Sequence, residues 1–175
     1  WSDLCVTTAF APATKEELQT AVDLWVSDNT TALETYGEIN TWDVSLITDM
    51  AELFRDKSTF NDDISAWDVS NVTTMHEMFT NALEFNQPLN DWDVSNVTSM
   101  YNMFANAQSF NQPLGDWDVS SVTNMQRVFN GAINFTGEGL GNWDVSSATN
   151  MYRLFSNTAV EEDLSNWDVS NVTDM

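Results

Sequence analysis

The chain has 175 residues, 42% of them apolar, which is enough for a sizeable core and argues against disorder. There are 27 acidic residues against five basic ones, Lys15, Arg55, Lys57, Arg127 and Arg153, for a formal net charge of -22. Such a field repels nucleic acid and anionic membrane surfaces and attracts cations and basic partners.

Cys5 is the only cysteine, so no intrachain disulfide is expected. No run of 18 apolar residues is present, so no membrane span is expected. The chain begins at Trp1 and stops within a repeat at Met175, as a segment of a longer protein would.

Residues 1–38 read as an N-terminal helical cap. Thr14-Lys15-Glu16-Glu17 has a capping-box pattern, and Leu18, Ala21, Val22, Trp25 and Val26 fall on one helical face. A second box, Thr31 to Glu34, opens a short helix that Gly37 ends.

Residues 39–175 are a repeat. Trp recurs at Trp42, Trp67, Trp92, Trp117, Trp143 and Trp167, each followed by Asp-Val, and then Ser. Met follows eight residues after each Trp, and a Phe column runs Phe54, Phe79, Phe104, Phe129 and Phe155. A second aromatic column is Phe60, Phe85, Phe110 and Phe135, with Val160 in the fifth place. Self-similarity near 25 residues marks a solenoid, here of about six coils. Within one coil, Ile64, Trp67 and Val69 predict a short strand facing the core, with Ala66, Asp68 and Ser70 outward. Met75, Met78, Phe79 and Ala82 predict one or two helical turns, and Phe85 to Leu89 an extended return through Pro88. The strands are expected to stack in parallel about 4.8 Å apart. A one-residue insertion falls among Gly137, Gly139 and Gly141, which explains that glycine run better than a phosphate loop does.

The pattern Leu-x-x-Trp-Asp-Val-Ser-x-Val-Thr-x-Met-x-x-Met-Phe-x-x-Ala-x-x-Phe-Asn-Gln-Pro, best seen from Leu89 to Pro113 and from Ile64 to Pro88, resembles the BspA-like surface-protein repeat. More narrowly it is similar to the branch named for mycoplasma lipoproteins. The resemblance implies a right-handed, leucine-rich-repeat-like solenoid with short parallel strands. It also implies an extracellular or cell-surface setting and a role in adhesion or protein binding.

No catalytic constellation stands out. His76 is the only histidine, and no nucleophile elbow accompanies it. The Trp, Met and Phe columns are in phase with Val and Leu, which predicts core rather than a ligand-binding comb.

The Asp column is the most informative polar feature. Asp68, Asp93, Asp118 and Asp144, with Ser70, Ser95 and Ser120, form the candidate binding face. Adjacent carboxylates about 5 Å apart repel by ~0.8 kcal/mol even in bulk water, so something must offset them. One offset is an Asx-type turn onto the following Ser. The other is a cation: Asp91, Asp93, Asp116 and Asp118 are candidate ligands for a hard ion such as Ca²⁺. The expected function is a non-enzymatic module binding a protein or glycan, or a spacer. The alternatives are a Ca²⁺-dependent, mineral- or ice-binding array and, third, a glycosidase using paired carboxylates. Asn29, Asn71, Asn96, Asn134 and Asn171 lie in Asn-x-Thr sequons that a secretory pathway could modify.

Overall fold

A computed structural model describes residues 9–175; Trp1 and Cys5 lie outside them. Helix α1 spans Lys15–Ser27, and Thr14 caps it by accepting the Glu17 N–H on Oγ1 at 3.3 Å. Helix α2 spans Asn29–Tyr36. It opens three residues earlier than the Thr31 box predicts, because Asp28 takes the cap and accepts from the Thr31 N–H at 3.1 Å. Gly37 ends it at φ 73°, a backbone state that glycine adopts freely.

The rest of the chain corrects the expected fold. Among the described residues there are two α-helices, two short 3-10 turns (Ile39–Thr41 and Leu140–Asn142) and no strand. A leucine-rich-repeat-like solenoid with short parallel strands is therefore not what these residues build. Successive repeat units touch through single parallel bridges: Asp49 with Thr74, Thr74 with Ser99, Ser99 with Asn124, Asn124 with Asn150, and Asn150 with Asp174.

The reason lies in the Met-to-Ala stretch, where helical turns were expected. Met78, Thr80 and Ala82 donate their N–H groups within the unit, to Met75, Glu77 and Phe79. The alternate N–H groups of Met75, Glu77, Phe79 and Asn81 donate to Ser99, Tyr101, Met103 and Ala105 of the next unit, at 2.8–3.1 Å. The chain is a ribbon of overlapping β-turns. Half of its donors close turns and half tie unit to unit, so it is neither helix nor ladder strand, yet its backbone is satisfied. Every fourth residue of the ribbon has positive φ: Glu77 (54°) and Asn81 (59°) in this unit, Asn102 (53°) and Asn106 (58°) in the next. The second of these sites carries Asn, Asp or Gly in every unit, the residues that tolerate this region best.

The sequence columns form the core as expected. Val69, Met75, Phe79, Phe85 and their counterparts up to Met151 are buried, whereas at the end of the stack Phe155 and Val160 are half-buried and Val169 and Met175 exposed; Leu18, Ala21, Val22 and Trp25 of α1 join the same apolar cluster. Phe rings stack within a unit (Phe79 with Phe85, 4.2 Å between centroids) and between units (Phe79 with Phe104, 5.3 Å). Trp117, Trp143 and Trp167 stack at 6.3 Å. Ile64, Trp67 and Val69 do point inward and Ala66 and Asp68 outward, although they form no strand. The Phe-Asn-Gln-Pro return is held by side chains: Asn61 Oδ1 accepts from the Asn86 N–H, and Gln87 Nε2 donates to the Asn61 carbonyl, each at 2.8 Å. The inserted residue is absorbed at Gly139 (φ 87°), whose bare Cα lies against Gly115; an added Cβ would sit 2.6 Å from the Gly115 Cα.

Candidate binding face

Four polar columns run side by side along the stack, each set by one position after Trp. The Asp column is exposed, and the Ser column is half-buried from Ser45 to Ser146. Asp93 Oδ1 accepts from the Ser95 N–H at 3.0 Å and from Ser95 Oγ at 2.6 Å. Asp68 holds Ser70 in the same way, at 3.1 and 2.6 Å. Asp118 accepts from the Ser120 N–H and Asp144 from the Ser146 N–H, each at 3.0 Å. The Asx-turn expectation is met in all four. At Asp93 and Asp144 the bonds favour the charged form. The Ser95 and Ser146 hydroxyls, then their backbone N–H groups, hold Asp93 and Asp144 below the ordinary carboxylate range. Asp168 is lowered by the Ser170 N–H first and its hydroxyl second.

The neighbouring columns fasten unit to unit. Asn71 and Asn96 donate through Nδ2 to the Ser45 and Ser70 carbonyls of the preceding unit, at 2.9 and 2.8 Å. The Thr column is exposed throughout, and from Thr73 onward each hydroxyl donates back one unit: Thr98 Oγ1 to the Thr73 carbonyl at 3.2 Å, Thr123 Oγ1 to Thr98 at 3.3 Å. The face is a rigid polar wall. Among the described residues Oδ2 of Asp68, Asp93, Asp118 and Asp144 accepts no hydrogen bond, so one lone-pair-bearing oxygen per unit is free.

The metal expectation finds no geometry. Among the described residues no three His, Cys, Asp or Glu side chains are grouped to hold an ion. Asp91, Asp93, Asp116 and Asp118 are all exposed but do not form such a group. Asp93 and Asp118 are turned onto their serines, and Asp116 Oδ2 accepts from Asn90 Nδ2. His76 lies 3.3 Å from Thr74 Oγ1 through Nδ1 and 3.8 Å from Glu52 Oε1 through Nε2.

Sequence reasoning missed the Asn and Gln clamps of the return and a cluster of Arg127, Tyr152 and Arg153. The clamps had a signal, Asn61, Asn86 and Asn111 directly after Phe60, Phe85 and Phe110. The cluster had none, since it lies in variable slots.

A repeating unit tied to its neighbours by backbone and side chain along its whole length defines a stacked-repeat protein. The chain belongs to the family described as Mycoplasma protein of unknown function, DUF285, whose model matches residues 20–137 and 112–175. That match supports the mycoplasma-type repeat and lends nothing to the BspA-like leucine-rich-repeat assignment. No curated protein and no solved structure matches the chain.

Proposed function

We propose that this chain is a non-enzymatic module of a BspA-like surface protein, set outside the cell, that binds a protein or glycan partner along the Asp–Ser–Asn–Thr wall. The observation that supports the reading is the row of free Asp Oδ2 atoms on a wall whose Asp Oδ1 atoms, Asn71 and Asn96 Nδ2 and Thr73, Thr98 and Thr123 Oγ1 are already hydrogen-bonded. Such a wall presents acceptors without having to order itself on binding, which lowers the entropic cost of association. The net charge of -22 favours a basic partner and makes association salt-sensitive.

The test immobilises the chain and measures capture of a small basic protein at low and high salt. Substituting Asp68, Asp93 and Asp118 by Asn should weaken capture and flatten its salt dependence. Substituting Glu16, Glu34 and Glu84, exposed residues off the wall, by Gln removes the same charge and should weaken it less. Equal losses in the two triple variants would sink the reading, because net charge alone would then explain the binding.

The recurrence of one such Asp in each unit also favours a second reading, adsorption to a calcium mineral surface. Retention on such a mineral that the Asp68, Asp93, Asp118 triple variant loses, with no capture of soluble partners, would select it.

A further inference from the structure

The turn ribbon presents one column whose charge changes sign along the stack. The tenth residue after each Trp is, in order, Glu52, Glu77, Asn102, Arg127 and Arg153. All five have positive φ, from 53° to 63°, and the N–H groups of the first four cross to the next unit at 2.8–3.0 Å, so the column is in register and evenly spaced. Glu52 and Arg153 are exposed, and the three residues between them are half-buried.

Neither end of the column is neutralised among the described residues. At the acidic end one guanidinium serves three carboxylates: Arg55 lies 2.9 Å from Glu52, 2.6 Å from Glu77 and 3.6 Å from Asp56. Lys15 is held by Asp49 at 2.9 Å and Lys57 by Asp23 at 2.6 Å. At the basic end Arg127 and Arg153 pair with no carboxylate, in a chain of 27 acidic side chains. Both guanidiniums lie over the half-buried ring of Tyr152, 5.4 and 5.1 Å from its centroid, which holds them at the face. Glu77 Oε2, Asn102 Oδ1 and Arg127 Nε are sealed from any partner. Glu77 Oε1 and the terminal nitrogens of Arg127 are not among those sealed atoms and make no hydrogen bond among the described residues.

Acid, acid, amide, arginine, arginine is a self-complementary order. We propose that two copies of this chain pair antiparallel through the ribbon face, about a two-fold axis at Asn102. Glu52 then faces the partner's Arg153 and Glu77 the partner's Arg127, and symmetry forms each pair twice. In the columns alongside, Tyr101 meets the partner's Tyr101, Arg55 the partner's Ser156 and Asp56 the partner's Asn157. No like charges meet. A parallel pairing would set Glu against Glu and Arg against Arg, so charge selects the antiparallel one. Two copies of net charge -22 repel at long range, but physiological salt screens that repulsion beyond about 8 Å, and the paired groups meet inside this length. Tyr and Arg are also residue types that interfaces favour. The pairing uses no residue of the Asp wall, so it goes beyond the binding role and stands or falls separately from it. It sets two such walls on one particle.

Sedimentation equilibrium of the intact chain, from roughly 10 µM to 1 mM at about 0.15 M salt, tests the interface. A monomer–dimer equilibrium is expected. Arg153→Glu should weaken it about tenfold or more, and so should Glu52→Arg. The double variant carrying both should regain dimers, because the exchanged charges again oppose one another across the axis. Melting temperatures are followed alongside, since Glu52→Arg crowds Arg55. Tyr101→Lys touches none of the ion pairs and carries the decision where that variant melts early. It sets two cations face to face at the axis while lowering the net negative charge, so it should weaken pairing even as general repulsion falls. A monomer at every concentration, a folded double variant no better than the single ones, or a Tyr101→Lys variant that pairs as well as the parent would each overturn the interface.

Discussion

The indole N–H of Trp117 donates to the carbonyl oxygen of Leu89, one unit earlier, at 2.8 Å. Trp67, Trp92, Trp143 and Trp167 make the same bond to Ile39, Ile64, Leu114 and Leu140. Each Trp therefore fills the core of its own unit and fastens it to the one before. Trp117 is 3% exposed. Trp117→Ala should destabilise by about 3–5 kcal/mol, and Trp117→Phe, which keeps most of the ring but loses the bond, by about 1–3 kcal/mol. Leu46→Ala, at a side chain 66% exposed, should change stability by less than about 0.5 kcal/mol. Denaturant titration orders the three; a Trp117→Phe loss near zero would deny the bond its part.

Gly131 (φ 77°) stands where Asn81 and Asn106 stand in earlier units, and Asn106 Nδ2 donates to Asn81 Oδ1 at 2.9 Å. A Cβ at Gly131 would meet Asn106 Oδ1 at 2.3 Å, the movable end of a side chain. Gly131→Asn should therefore cost under about 1 kcal/mol, as Asn rotates into the column and tolerates this backbone state. Gly131→Val should cost about 2 kcal/mol or more, since a branched side chain is strained there. Thermal melts that rank Val at or above Asn would contradict the turn-ribbon geometry.

The serine bonds to Asp43, Asp93, Asp144 and Asp168 set an acid limit. Each carboxyl is held below its ordinary value. Their contribution is thus complete above the unfolded value of about 3.9 and is lost as pH falls through the lower folded values. Asn at these four positions can accept the same bonds without titrating. The fourfold Asn variant should keep its fold and show a shallower fall in melting temperature below pH ~4. An acid limb identical to the parent's would mean that other carboxylates set it.

Calcium should leave the melting temperature unchanged at millimolar concentration, because Asp91, Asp93, Asp116 and Asp118 form no common site. A rise that chelator reverses and Asp93→Asn removes would restore the metal reading by mass action.

The core was legible in the sequence because burial repeats with the unit: Trp, Val, Met and Phe hold their phase from Trp42 to Trp167. The backbone was not. Spacings of three and four from Met75 to Ala82 look helical, and alternation around Trp67 looks like a strand. Both arise equally from overlapping turns, whose side chains also return to one face. The distinguishing mark was Asn81, Asn106 and Asn157, small polar residues between apolar columns, where φ is positive and a regular helix would not place them. The Asp–Ser turns were readable because the partners lie two residues apart. The pairing of Arg127 and Arg153 with Tyr152 required knowing which units are neighbours and which way the ribbon turns.

The ribbon also makes the stack electrically directional. From Met50 to Asp56 in the first unit, and at the matching positions beyond it, the N–H groups that cross between units all donate toward the higher-numbered unit. Their peptide dipoles, about 3.5 D each, therefore add along the stack axis as they do along a helix. The carbonyl pole faces α1, where Gln19 Nε2 donates to the Leu53 oxygen at 3.1 Å and where Lys15, Arg55 and Lys57 gather. Three of the five basic residues thus sit at the pole that favours cations. A chain whose formal charge is almost all of one sign keeps, through its amides alone, a head and a tail that an approaching charge can tell apart.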